Sequence, residues 1–174
     1  MQIRLSPPEH WPVHDQADGS VRVVIPGHAQ SPDLWLVYGP LQPLPLDRRR
    51  WVQTAPLRVD SSTQTVTLEH SEATQTALGW PLWLASVRIT ERTSPAEPSE
   101  AAAPQGTWLR LHALYQFLEY SAEVVVTAAT QERWLAHRDA ILSVLRGAEP
   151  DFRGPDVVAL SELWATAQDD SRRR

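Results

Sequence analysis

Apolar positions in this chain alternate more often than they recur at helical spacing. The longest alternation runs over residues 107–120. Leu109, Leu111, Ala113, Tyr115 and Phe117 fall on one face, and Arg110, His112, Leu114, Gln116 and Leu118 on the other. A period of two is the signature of a strand, and the second face is itself semi-apolar. A turn at 119–122 leads into 123–128, where Val124, Val125 and Val126 read as a buried strand. So short a link implies antiparallel pairing. Earlier runs at 21–25, 33–38, 63–70 and 80–90 are also read as strands. In the last, Trp83, Ala85, Val87 and Ile89 share a face, opposite Ser86, Arg88 and Thr90. The link at 71–78 is either a hairpin connection or a continuation of the strand before it.

Helical spacing appears in three places. Asp47 is placed to cap a short helix through Arg48, Trp51 and Val52, which Pro56 stops. Thr130 caps the strongest helix, 131–146, whose stripe is Trp134, Leu135, Ile141, Leu142 and Leu145, and Gly147 ends it. A further helix is expected at 155–168, opened by Pro155 and striped by Leu160, Leu163, Trp164 and Ala167. Residues 1–20 carry Pro7, Pro8, Pro12 and Gly19 and are read as an irregular arm with room for a short strand at 3–5. Residues 41–46 form a Pro-rich rigid connector. The Pro/Ala/Glu-rich stretch 93–106 has no apolar face to bury and is read as a mobile insertion. The expected organisation is a single domain at 21–168, followed by a tail at 169–174. Strands segregated from C-terminal helices predict an α+β fold, an antiparallel sheet packed against amphipathic helices.

Composition narrows the function classes. At 174 residues, 42% hydrophobic and 21% charged, the chain has the makeup of a folded domain. It has no cysteine, which excludes thiol nucleophiles, thiolate metal sites and disulfides. It also lacks lysine and asparagine, so all 16 basic residues are arginine and lysine-dependent chemistry is excluded. A net charge of -5 argues against nucleic-acid binding, and the runs Arg48–Arg50 and 172–174 are read as solvated or structural. The chain shows neither an apolar leader nor a stretch of membrane-spanning length, so a cytoplasmic protein without membrane insertion is expected.

No catalytic motif emerges. His10 and His14 have the spacing of a helical metal pair, but Pro12 between them forbids a regular helix. His112 needs a carboxylate from a neighbouring strand to serve as an acid or base, because Glu119 falls on the opposite face. His70 and Glu69 also point to opposite faces. His137-Arg138-Asp139 matches a kinase triplet only by chance, since it lies within a helix and has no glycine loop or lysine nearby. The chain has eight tryptophans. Trp35, Trp83, Trp134 and Trp164 are read as core, while Trp11, Trp51, Trp80 and Trp108 lie near element ends, where aromatic side chains serve interfaces.

Residues 108–120 (WLRLHALYQFLEY), 122–130 (AEVVVTAAT), Trp134 and 141–145 (ILSVL) together resemble the C-terminal half of the DcrB/PsbP-like proteins. These share a long strand, a hairpin into an apolar strand ending in Thr-Ala, and an amphipathic helix. The resemblance implies a PsbP-like α+β fold. Through the Eag-type adaptor chaperones of bacterial type VI secretion, it also implies a cytoplasmic, homodimeric adaptor that holds apolar segments of other proteins. The insertion at 93–106 and the helix at 155–168 depart from that pattern. The expected function is a non-enzymatic interaction module without a cofactor. Its expected partner-binding residues are Arg110, His112, Leu114, Gln116, Trp51 and Trp80. The alternative is a small-molecule-binding protein or small enzyme with a pocket between sheet and helices, in which His112 acts.

Overall fold

The alternating runs do form strands, and the strands form one large sheet. The computed structural model describes residues 1–27, 33–58, 64–91 and 107–151. In chain order these are β1 (Gln2–Arg4), β2 (Val13–Asp15), β3 (Val21–Val24), β4 (Leu34–Tyr38), β5 (Gln42–Pro43), α1 (Arg48–Thr54), β6 (Gln64–Gln75), β7 (Pro81–Glu91), β8 (Thr107–Phe117), β9 (Tyr120–Ala128), α2 (Gln131–Arg146) and β10 (Glu149–Asp151). A short 3-10 turn, Ala55–Leu57, extends α1. The insertion at 93–106 and the helix expected at 155–168 lie outside the described residues.

Every pairing in the sheet is antiparallel, and the strand order is β2-β3-β4-β9-β8-β7-β6, with β5 joined to β9. α2 crosses one face, called the helix face. There Leu36, Leu82, Leu84, Ala113, Tyr115, Phe117, Val124 and Val126 are buried beneath Ile141, Val144 and Leu145. The Tyr115 hydroxyl donates to the Leu145 carbonyl at 2.9 Å and ties the end of the helix to the sheet. Burial pushes this phenol far above its ordinary titration range.

One open alternative resolves and three expectations change. First, of the two readings of the link after residue 70 the continued strand holds: β6 runs to Gln75 and turns at 76–80 into β7. Second, the β8–β9 hairpin turns at Leu118–Glu119, not at 119–122, with Leu118 at φ 56. Third, residues 1–20 are more than an irregular arm. They supply β1 and β2, and bury Ile3, Leu5 and Trp11. β1 pairs with β10, joining the start of the chain to the segment after α2. Fourth, the α2 stripe is only half used. Leu135 stays 59% exposed, and Trp134 and Leu142 are half-buried.

Candidate partner-binding surface

The face opposite α2 carries the residues singled out on β8. Its side-chain rows follow from the register. Arg110 lies between Thr127 and Val87, His112 between Val125 and Ala85, Leu114 between Glu123 and Trp83, and Gln116 next to Ser121. α1 and the 3-10 turn lie across part of this face and are fastened to it twice. Arg48 Nη1 donates to Gln116 Oε1 at 2.7 Å, and Arg58 Nη2 donates to Glu123 Oε2 at 3.3 Å. Arg48, the first residue of the arginine run, is therefore structural. Ala55 and Pro56 are buried beneath this segment.

This cover changes the status of the expected site. His112 and Leu114 are buried within the chain and are not available to a partner. Arg110 and Gln116 are half-buried beside them. Trp51 is half-buried on α1. Trp80 belongs to the opposite side, where it packs edge-on against Phe117 with centroids 5.6 Å apart. The six residues therefore do not share one surface. Trp35 and Trp83, read as core, are half-buried on this face, and the Arg22 guanidinium lies 4.8 Å above the Trp35 ring.

The carboxylate that His112 lacked in the sequence is Glu123. His112 Nδ1 and Glu123 Oε1 are 2.7 Å apart, and Arg58 holds the other carboxylate oxygen. His112 Nε2 is sealed from solvent and has no hydrogen-bond partner. The pair links β8 to β9 and, through Arg58, to the segment that follows the 3-10 turn. Among the described residues, no group of three or more His, Asp or Glu side chains is placed to hold a metal. His14 sits in β2 and His10 in the preceding turn, so the helical pair does not form.

The open apolar surface lies beside α1. Leu46 is fully exposed, and Leu57 and Leu68 are 42% and 46% exposed. Two adjoining depressions connect Leu46 and Leu68 over Trp83, one reaching Leu46 and Arg49, the other Pro56 and Leu68, with Val52 in both. Leu46, Leu57 and Leu68 were missed because each follows a residue read only for its backbone role: a proline connector, a helix stop, a strand alternation.

Comparison with solved structures was decisive for the fold. CyanoP, the cyanobacterial PsbP of Synechocystis sp. PCC 6803, aligns at TM-score 0.54 and 13% identity, over 86% of each chain. The fold is PsbP-like. The PA94 protein of Pseudomonas aeruginosa, of unknown function, shares it at TM-score 0.53 and 10% identity, covering 87% of this chain and 99% of its own. The Ran-binding protein Mog1p of Saccharomyces cerevisiae aligns at TM-score 0.48 and 8% identity, over 84% of this chain and 89% of its own. No family model matches the chain, and no curated protein matches it by sequence. The PsbP-like frame places the long hairpin and its helix as the resemblance implied. Among the described residues, no helix is long and apolar enough to cross a membrane.

Proposed function

We propose that the protein is a non-enzymatic interaction module, adaptor or chaperone-like, that holds an apolar segment of a partner protein. The carrying observation is the apolar surface beside α1, where exposed Leu46 and Leu68 flank half-buried Trp83 and Val52. Contiguous apolar surface of this kind marks interaction sites, and Trp83 supplies the aromatic anchor such sites favour. Arg48 and Arg49 at its border suit a partner with acidic residues flanking its apolar stretch. In this reading Arg110, His112, Leu114 and Gln116 shape the surface from beneath, and Trp80 stands apart from it. The resemblance of residues 108–145 to the DcrB/PsbP-like proteins, which include Eag-type adaptor chaperones, favours the same role, and with it we propose a cytoplasmic location and a homodimer.

The test is affinity capture of the tagged protein from its native lysate, beside a Leu46→Glu/Leu68→Glu variant checked for fold by circular dichroism. A stoichiometric protein recovered with the wild type and lost with the folded variant is the expected result. Equal capture by both, or a single enriched metabolite and no protein, would overturn the reading.

A further inference from the structure

The helix face holds a second, more enclosed space that the adaptor reading does not use. It lies beneath the first turns of α2. Three features fix that end of the helix. Arg133 Nε reaches both carboxylate oxygens of Asp33 at 3.0 and 2.9 Å, Arg133 Nη2 donates to the Pro26 carbonyl at 2.8 Å, and Thr130 caps the first turn. The helix buries its stripe only from Ile141 onward. On the sheet below, Ser86 and Ala128 are short side chains, each following a larger one on the same face, Leu84 and Val126. The result is a cavity of about 140 Å³. Its floor is Leu109, Leu111, Val126 and Ala128, and Trp134 and Leu135 form the wall toward α2.

We propose that this cavity is a binding site for a small uncharged ring compound of phenol size that carries one hydrogen-bonding group. Size follows from volume: an apolar cavity of about 150 Å³ accommodates benzene. The aliphatic floor offers dispersion and burial with no polar partner, which selects a ring or compact hydrocarbon. Polar groups also line it, the Ser86 hydroxyl on the sheet and the Gln131 amide on α2. Of the three charged residues that line it, Arg88 Nε donates to Glu69 Oε1 at 2.6 Å, and Arg110 belongs to the opposite face of β8, between Val87 and Thr127. Glu69 is set there by the register shift between Leu68 and His70, which makes it the extra residue of a bulge. A charged ligand would find no free counter-ion and would lose its hydration.

The test is a fluorine NMR titration of the full-length protein with 4-fluorophenol, fluorobenzene, 4-fluorobenzoate and 4-fluorobenzylammonium. Saturable binding of the phenol is expected, with both ions at least about tenfold weaker. Ser86→Leu fills the cavity and should weaken 4-fluorophenol at least about tenfold in a folded protein. Gln131→Ala, at an exposed helical position, leaves the floor intact. It should weaken 4-fluorophenol while leaving fluorobenzene unchanged, and this comparison stands even where Ser86→Leu fails to fold. The proposal is overturned by absent saturation with 4-fluorophenol, by equal binding of the ions, by unchanged binding to folded Ser86→Leu, or by equal loss of both neutral probes in Gln131→Ala.

Discussion

Arg133 shows how one side chain organises its neighbourhood. Its guanidinium bonds Asp33 and two backbone carbonyls, and Nη1 lies 2.9 Å from His137 Nε2. That nitrogen accepts the bond only when the imidazole is neutral. Burial, and then the Arg133 charge, hold the His137 titration below its ordinary value of 6.5. The sign follows directly. As pH falls below about 6.5 the unfolded chain takes up a proton that the folded chain still refuses, so stability falls with pH in that window. Above it, the contribution is fully present. Urea unfolding at about pH 7.5 and about pH 5.5 should show the wild type losing more stability than His137→Gln. Equal losses in the two proteins would show that His137 carries no such linkage. In the sequence this histidine was noticed only as part of a triplet without chemistry. Its partner at i−4 is a standard helical neighbour, but nothing in the pattern of apolar positions announces a neutral imidazole there. Glu123 was hidden differently. With the turn read two residues late, it could not be set beside Leu114 and His112. Leu118 at φ 56 marks the true turn without the glycine or asparagine that advertises one.

At the scale of elements, α2 is a helix of two halves. Its second half is part of the core, and its first half is held by polar bonds around Arg133. The spacing of Trp134, Leu135, Ile141, Leu142 and Leu145 gave the helix its correct bounds, since period and caps are local properties. That Leu135 would remain exposed was not legible, because it depends on Asp33 and Pro26, distant in sequence. A helix half held by few apolar contacts depends on its cap. Thr130 Oγ1 accepts from Arg133 N at 3.2 Å. Thr130→Ala should therefore cost about 1 kcal/mol. It should also raise amide exchange across the first turns well before the 141–145 segment responds. Uniform exchange along α2 would show that the helix opens as one unit. The β8–β9 hairpin is the opposite case. Its alternation, its valine run and its packing on α2 all agree, and it carried both the fold reading and the resemblance.

At the scale of the whole molecule, the beginning of the chain is part of the core. Proline density made residues 1–20 read as an arm, because proline disfavours regular structure and says nothing about burial. Before and between those prolines Ile3, Leu5 and Trp11 reach the core, all less than a tenth exposed. β1 is held through β10, with Arg4 Nη2 bonded to Glu149 Oε2 at 2.9 Å, and through a bridge from Gln2 to Pro40. Strand pairing between distant segments is a tertiary fact that no local period encodes. The consequence is measurable. Trp11 is 3% exposed, and Trp11→Ala should cost about 3–5 kcal/mol, the range for emptying a large aromatic site in a core. Removing residues 1–5 should destabilise the entire domain in one transition, since the strand partner of β10 goes with them. Urea unfolding followed by tryptophan fluorescence and by far-ultraviolet circular dichroism reads both changes. Coincident, leftward-shifted transitions are expected. An unshifted midpoint for the truncated chain would mean that the clasp adds nothing and that the arm reading was right. A shift confined to fluorescence would mean that the segment docks on a domain already complete without it.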